Sequence, residues 1–208
     1  MSISKRIQEC INKLQIGDAE NAFIQLAIAI DGTAKKEYPN LQTTKRCKLF
    51  LTENLPFVMW SLTNGTPTAC KKMTFEFVDS DSQPDPIPFE DVVYRVLRCS
   101  LLHEGEMPQI VQFTDDNWIA MKNGVMHFPL ALIGALLFAV IASPVNSNEN
   151  VPDHYCFMFG NVNASVNEML GDIERSKELI RNGFQYDVEK LIEQYEAQSH
   201  NKAFKSDS

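Results

Sequence analysis

A mainly helical fold with a small antiparallel β-hairpin is predicted by three features of the 208-residue sequence. Apolar residues recur at helical spacing over most of the chain, and cap or breaker residues stand where the periodic stretches stop. Strict alternation is confined to short runs, the main group falling near residues 109–128.

Ile3, Ile7, Ile11 and Leu14 mark one face of a short amphipathic helix that Gly17 stops. Asp18 caps the next, whose face is Phe23, Leu26, Ala27, Ile30 and Ala34 and which Tyr38-Pro39 breaks; it is predicted to be the longest of the amino-terminal half. Thr43 or Thr44 caps a third through Cys47, Phe50 and Leu51, and Pro56 kinks or ends it ahead of Trp60 and the Asn64-Gly65 turn. Thr74 to Val78 alternate as a short strand, and the Ser-, Asp- and Pro-rich stretch from Asp79 to Pro88 predicts a loop. Pro88 suits a first helical position, Glu90 and Asp91 suit the first-turn dipole, and the helix runs to about His103.

Ile110 to Phe113 and Trp118 to Met121 are predicted to pair as strands through Thr114-Asp115-Asp116-Asn117, with Asn123-Gly124 turning into a third short strand at Val125 to Phe128. Phe128 to Ala142 is apolar throughout and closed by Pro144. It falls short of the ~20 residues that cross a bilayer, so a central core helix is expected. After the polar link from Pro144 to Asp153, a helical carboxyl-terminal third is built on Val166, Met169, Leu170, Ile173, Ile180, Val188, Leu191 and Ile192, dividing at Asn182-Gly183.

Nineteen basic against twenty-seven acidic residues give a net charge of -8, which argues against a broad cationic face for duplex DNA and leaves room for a local basic pocket. The polar start Met1-Ser2-Ile3-Ser4-Lys5-Arg6 has no secretory pattern, so a cytoplasmic, soluble protein that does not enter the membrane is expected. Cys10, Cys47, Cys70, Cys99 and Cys156 show no metal spacing and predict reduced, mostly buried thiols. His127 and His154 stand among apolar or aromatic neighbours and are expected to be packed residues. Asp79-Ser80-Asp81 and Asp115-Asp116 suit solvated turns. With no phosphate loop, dinucleotide fingerprint or nucleophile elbow, no metal and no cofactor are expected.

One run carries chemical meaning: Arg98-Cys99-Ser100-Leu101-Leu102-His103. An imidazole with a reference pKa near ~6.5 exchanges protons at neutral pH, and a guanidinium matches phosphate geometry with paired donors. Together they suit metal-free cleavage of a phosphodiester. Positions five apart diverge by roughly 140° on an ideal helix, so one straight helix does not aim both at one atom.

The string Tyr94-Arg95-Val96-Leu97-Arg98-Cys99-Ser100-Leu101-Leu102-His103-Glu104-Gly105 resembles the signature of the HEPN superfamily, in which an Arg, four to six residues and a His close a helix. The resemblance implies a helical bundle over residues 1–145 with the hairpin near 109–128 inserted, leaving 146–200 as a helical extension packed on it and 201–208 as a disordered tail. It further implies a metal-independent endoribonuclease, with Arg98 holding the scissile phosphate and His103 activating a ribose 2′-hydroxyl. Two chains pairing their motif helices in a homodimer would complete the pocket, and Ser100 or Glu104 would orient the imidazole. Cys99 departs from the Asn, Asp or His usual after that arginine.

A different assignment of the same residues pairs Arg98 with Asp31 or Glu90 and leaves His103 to finish the helix against its dipole. It corresponds to a non-catalytic interaction or antitoxin-like module that binds a protein partner. A small-ligand pocket beneath the hairpin, around Trp118 and Phe113, is a third expectation. The last residues, Asn201-Lys202-Ala203-Phe204-Lys205-Ser206-Asp207-Ser208, resemble read-through into an integron gene-cassette recombination site. That resemblance implies a mobile bacterial accessory gene, a setting that suits a toxin or defence protein.

Overall fold

The computed structural model describes residues 2–65, 72–75, 86–102, 111–116, 119–122 and 125–184, with the backbone alone for 96–102, 111 and 121. Ser2 opens α1 (Ile3–Gln15) by accepting from the Lys5 amide at 3.3 Å, and Gly17, at φ 75°, ends the turn that follows it. Asp18 caps α2 (Ala19–Glu37) as expected, accepting from the Asn21 amide at 3.3 Å. Ile7 and Ile11 of α1 and Phe23, Leu26 and Ile30 of α2 are buried in the same core.

The third helix departs from expectation in its length and in its cap. α3 (Thr43–Leu62) has 20 residues against 19 in α2, so α2 is not the longest. Its N-cap is Gln42, which makes no side-chain cap bond; neither Thr43 nor Thr44 caps it, and the Thr44 hydroxyl bonds Tyr94 instead. Pro56 neither ends the helix nor stops its burial. A helix-interior proline costs ~3 kcal/mol, but Leu55, Phe57, Val58, Met59 and Trp60 beside it are all buried, each apolar side chain contributing about 1.5–3 kcal/mol. Asn64 and Gly65 then adopt positive φ, and the Gly65 amide donates to the Trp60 carbonyl at 2.9 Å.

β1 (Thr74–Phe75) pairs antiparallel with β2 (Ile87–Pro88). Pro88 therefore ends a strand rather than opening a helix, because the Phe89 amide extends the pairing by donating to the Met73 carbonyl at 2.8 Å. α4 (Phe89–Leu102) starts one residue later, with Glu90 and Asp91 in its first turn.

β3 (Val111–Thr114), β4 (Ala120–Lys122) and β5 (Val125–Pro129) form a sheet in the order β3-β5-β4. The expected β3–β4 hairpin is not formed: β3 runs parallel to β5, and the antiparallel hairpin is β4–β5, whose register Lys122↔Val125 leaves a two-residue connection. A two-residue Asn-Gly link favours a hairpin more than the longer stretch before β4 does. Phe113 and Phe128, paired across β3 and β5, both meet the Phe23 ring of α2 with centroids 5.5 Å away. The inner face of the sheet is thereby fixed to the helices.

α5 (Leu130–Ala142) carries no charge and nine of its residues are buried, so it is a central core helix, hydrophobic nearly all round. Pro144–Asn146 close it as a single 3-10 turn. Among the described residues no helix is long and apolar enough to cross a membrane.

The carboxyl-terminal third is less helical than its spacing predicts. A hairpin of β6 (Cys156–Phe159) and β7 (Val162–Ser165) precedes α6 (Val166–Met169), and Gly171, at φ 74°, separates this single turn from α7 (Ile173–Gly183). The fold thus holds two hairpins beyond the β4–β5 hairpin, β1–β2 and β6–β7. Phe157 and Phe159 seat the last one on Phe138 of α5, at 4.8 and 5.3 Å between ring centroids. The helix break expected at Asn182-Gly183 is the end of α7; Val188, Leu191 and Ile192 lie outside the described residues.

Candidate functional site

Three contacts fix how α4 lies on α3. Lys48 Nζ meets Asp91 Oδ1 at 2.7 Å and stands 5.8 Å over the Tyr94 ring, while the Thr44 and Tyr94 hydroxyls are 2.9 Å apart. Pairing that descends α3 as it ascends α4 makes the helices antiparallel. Tyr94 and Arg98 are one turn apart on the same face of α4, about 6 Å along the axis. The Arg98 turn therefore passes the chain that leads into α3.

That end of α3 is electropositive. Its first amides have no side-chain cap, no acid stands in its first turn, and Lys45 and Arg46 take those places. Lys45 and Arg95 are exposed to solvent. Arg46 is partly neutralised, its Nε and Nη2 donating to Asp31 Oδ1 at 3.0 and 2.6 Å. The Cys47 thiol also donates to Asp31 Oδ1, at 3.6 Å, and burial above all, then the Asp31 charge, pushes it up to about 12, which removes it as a nucleophile.

The structure brings Arg98, Cys99 and Ser100 onto the last turns of α4 as backbone, while their side chains lie outside the described residues, as do His103 and Glu104 altogether. The ion pair expected between Arg98 and Asp31 or Glu90 lies outside the described residues on the Arg98 side; Asp31 Oδ1 accepts from Arg46 at 2.6 Å.

Other expected sites resolve differently. Phe113 is partly buried with its ring 5.5 Å from that of Phe23, and Trp118 lies outside the described residues. A cavity of 360 Å³ does open beside Ile119, between Met59, Leu62 and Asn64 of α3 and its turn, Phe75 of β1, Phe89 of α4 and Leu132 of α5. Its walls come from five separate stretches, so no local sequence signal marks it. His127 points from β5 toward Asp116, Nδ1 to Oδ2 3.8 Å, and Asp116 bonds Lys122 at 2.9 Å. His154 is exposed rather than packed, its ring lying 4.4 Å from that of Tyr155. Cys10 and Cys47 are buried and Cys156 is half-exposed; Cys70 and the Cys99 side chain lie outside the described residues. Among the described residues no three His, Cys, Asp or Glu side chains cluster as metal ligands.

Among the described residues the fold is mainly helical with three small two- or three-stranded sheets, and α4, which lies antiparallel on α3, carries the Arg98 backbone. Residues 2–195 match the profile of the Rv1289 family, and the chain belongs to that family. No curated protein and no solved structure gives a significant match.

Proposed function

We propose that this chain is a metal-independent endoribonuclease of the HEPN kind that works as a homodimer in the cytoplasm. The observation that carries the proposal is the placement of the Arg98 turn of α4 beside the uncapped, Lys45-bearing start of α3. An uncapped helix start with Lys45 in its first turn offers a phosphate helix-dipole charge and a cation.

In the proposed reaction His103 takes the proton of a ribose 2′-hydroxyl, and that oxygen attacks the adjacent phosphorus in line. The bond from phosphorus to the 5′-oxygen breaks, the leaving oxygen takes a proton from water while the His103 imidazolium returns its own to solvent, and the products are a 2′,3′-cyclic phosphate and a 5′-hydroxyl. Arg98 holds the non-bridging oxygens as charge develops on them. Ser100 or Glu104 keeps the imidazole oriented, and a second motif helix completes the pocket that one helix cannot close at a five-residue spacing. A toxin or defence role encoded on a mobile cassette accords with the carboxyl-terminal sequence.

Cleavage of RNA by the whole protein with chelator present tests the proposal. His103→Ala is expected to lower the rate by about 10²–10⁴-fold. An inactive parent, or an unimpaired variant, overturns it. The 360 Å³ cavity beside Ile119 favours a second reading, a protein that holds a small apolar molecule. In that case an apolar ligand raises the melting temperature of the parent and not of Leu132→Phe, while the chain leaves RNA intact.

A further inference from the structure

The ion pair that joins α2 to α3 leaves part of itself unused. Arg46 Nε and Nη2 and the Cys47 thiol all converge on Asp31 Oδ1, so among the described residues the guanidinium Nη1 and the carboxylate Oδ2 carry no bond. Lys35 stands one turn beyond Asp31 on the same face of α2, a spacing at which the two would ordinarily pair. Arg46 takes that carboxylate instead, and Lys35 is exposed with no partner among the described residues.

These unused groups line one cavity. It measures 420 Å³ and is walled by Ile3 of α1, by Asp31, Gly32, Lys35 and Lys36 of α2, and by Arg46 of α3. Three cations face one carboxylate there, and Lys36 is held by Glu149 at 2.7 Å. The dipole of α2 favours lysines in its last turn, but it does not account for the open space between them and the ion pair. That space offers an anion free donors from Lys35 and Arg46, and beside them one acceptor, Asp31 Oδ2. A bare anion would set its charge against that acceptor. A phosphate flanked by a hydroxyl satisfies donors and acceptor together.

We propose that the cavity between Asp31, Lys35 and Arg46 is a ribonucleotide-binding site that reads a 3′-phosphate together with the neighbouring 2′-hydroxyl. Phosphate oxygens accept from Arg46 Nη1 and Lys35 Nζ, and the 2′-hydroxyl donates to Asp31 Oδ2. The ligand carries its acceptor and its donor on adjacent carbons, and the ion pair presents donor and acceptor side by side, so the two match in one orientation. A deoxyribonucleotide keeps the phosphate contacts and loses the one to the carboxylate, which separates RNA from DNA. On the endoribonuclease reading, on which only this last placement rests, the site holds a nucleotide next to the one cleaved, since Arg46 follows Lys45 at the uncapped start of α3.

Calorimetric titration of the full chain with adenosine 3′-monophosphate and with 2′-deoxyadenosine 3′-monophosphate is the test, because neither holds a phosphodiester to cleave. The ribonucleotide is expected to bind about tenfold more tightly, as one hydrogen bond to a charged group requires. Asp31→Asn turns an amide donor or a neutral oxygen toward the hydroxyl and is expected to bring the two affinities together, whatever their level. Lys35→Ala, a change at an exposed position, is expected to weaken both by the same factor. Binding of neither nucleotide, equal affinities in the parent, or a Lys35→Ala variant that binds as the parent does overturns the site. Cleavage of RNA by the same samples separates this from the nuclease reading. A chain that cuts RNA and binds neither nucleotide loses the site and keeps that reading; one that discriminates the nucleotides and leaves RNA whole keeps the site and loses it.

Discussion

Asn146 has no solvent exposure, and each of its amide atoms has a use. Nδ2 donates to Thr33 Oγ1 at 3.0 Å and to the Val140 carbonyl at 2.7 Å, while Oδ1 accepts from Lys36 Nζ at 3.4 Å. Lys36 continues to Glu149 at 2.7 Å, and Glu149 accepts the Ser4 amide at 2.9 Å, so one chain of bonds ties α1, α2 and the segment after α5. Burial raises the Glu149 carboxyl, but the Lys36 ammonium and the Ser4 bonds outweigh it and hold the group below the ordinary range. A carboxyl depressed in the folded state contributes above its unfolded value and loses that contribution as pH falls through the folded one. Glu149→Gln is therefore expected to cost about 1 kcal/mol at neutral pH, screened by solvent, with parent and variant converging in acid. Urea midpoints measured from neutral pH down into the acid range check the sign. Nothing local in the sequence distinguishes Asn146 from the other polar residues of its link, because two of its three partners, Thr33 and Lys36, lie on α2, more than a hundred residues earlier.

Among the elements, those whose ends are set by local chemistry were legible and those set by distant pairing were not. Gly17, Asp18 and Tyr38-Pro39 bound α1 and α2 where their capping and breaking roles predict. Gln42 begins α3 because the Thr44 hydroxyl is drawn to Tyr94, fifty residues on. The parallel β3–β5 pair follows from two phenylalanines meeting Phe23, a contact that strand alternation does not reveal. In the last third, helical spacing from Val166 to Ile180 conceals the break at Gly171, whose φ of 74° and close approach to the Ser147 backbone leave no room for a Cβ. Gly134, inside α5, faces open space. Gly134→Ala is expected to raise stability by about 0.4–1 kcal/mol, whereas Gly171→Ala lowers it by more than that, as denaturant midpoints will register.

Over the whole sequence the net charge is -8, while the first turn of α3 carries Lys45 and Arg46 and no acid; on the proposed reading this suits a phosphate met at one place rather than along a broad face. Arg98 and His103 are candidates by spacing and chemistry alone, since the Arg98 side chain and the whole of His103 lie outside the described residues. The setting of the Arg98 turn was not legible, since the antiparallel contact of Lys48 with Asp91 joins residues 43 positions apart and depends on how two helices share a core. The same dependence hid the cavity beside Ile119. The chemistry of the RNA ends left by the chelated protein discriminates most directly. In-line attack by a 2′-hydroxyl predicts 2′,3′-cyclic phosphate and 5′-hydroxyl ends that vanish with His103→Ala, whereas 5′-phosphate ends, or RNA left whole, would contradict metal-independent cleavage by Arg98 and His103.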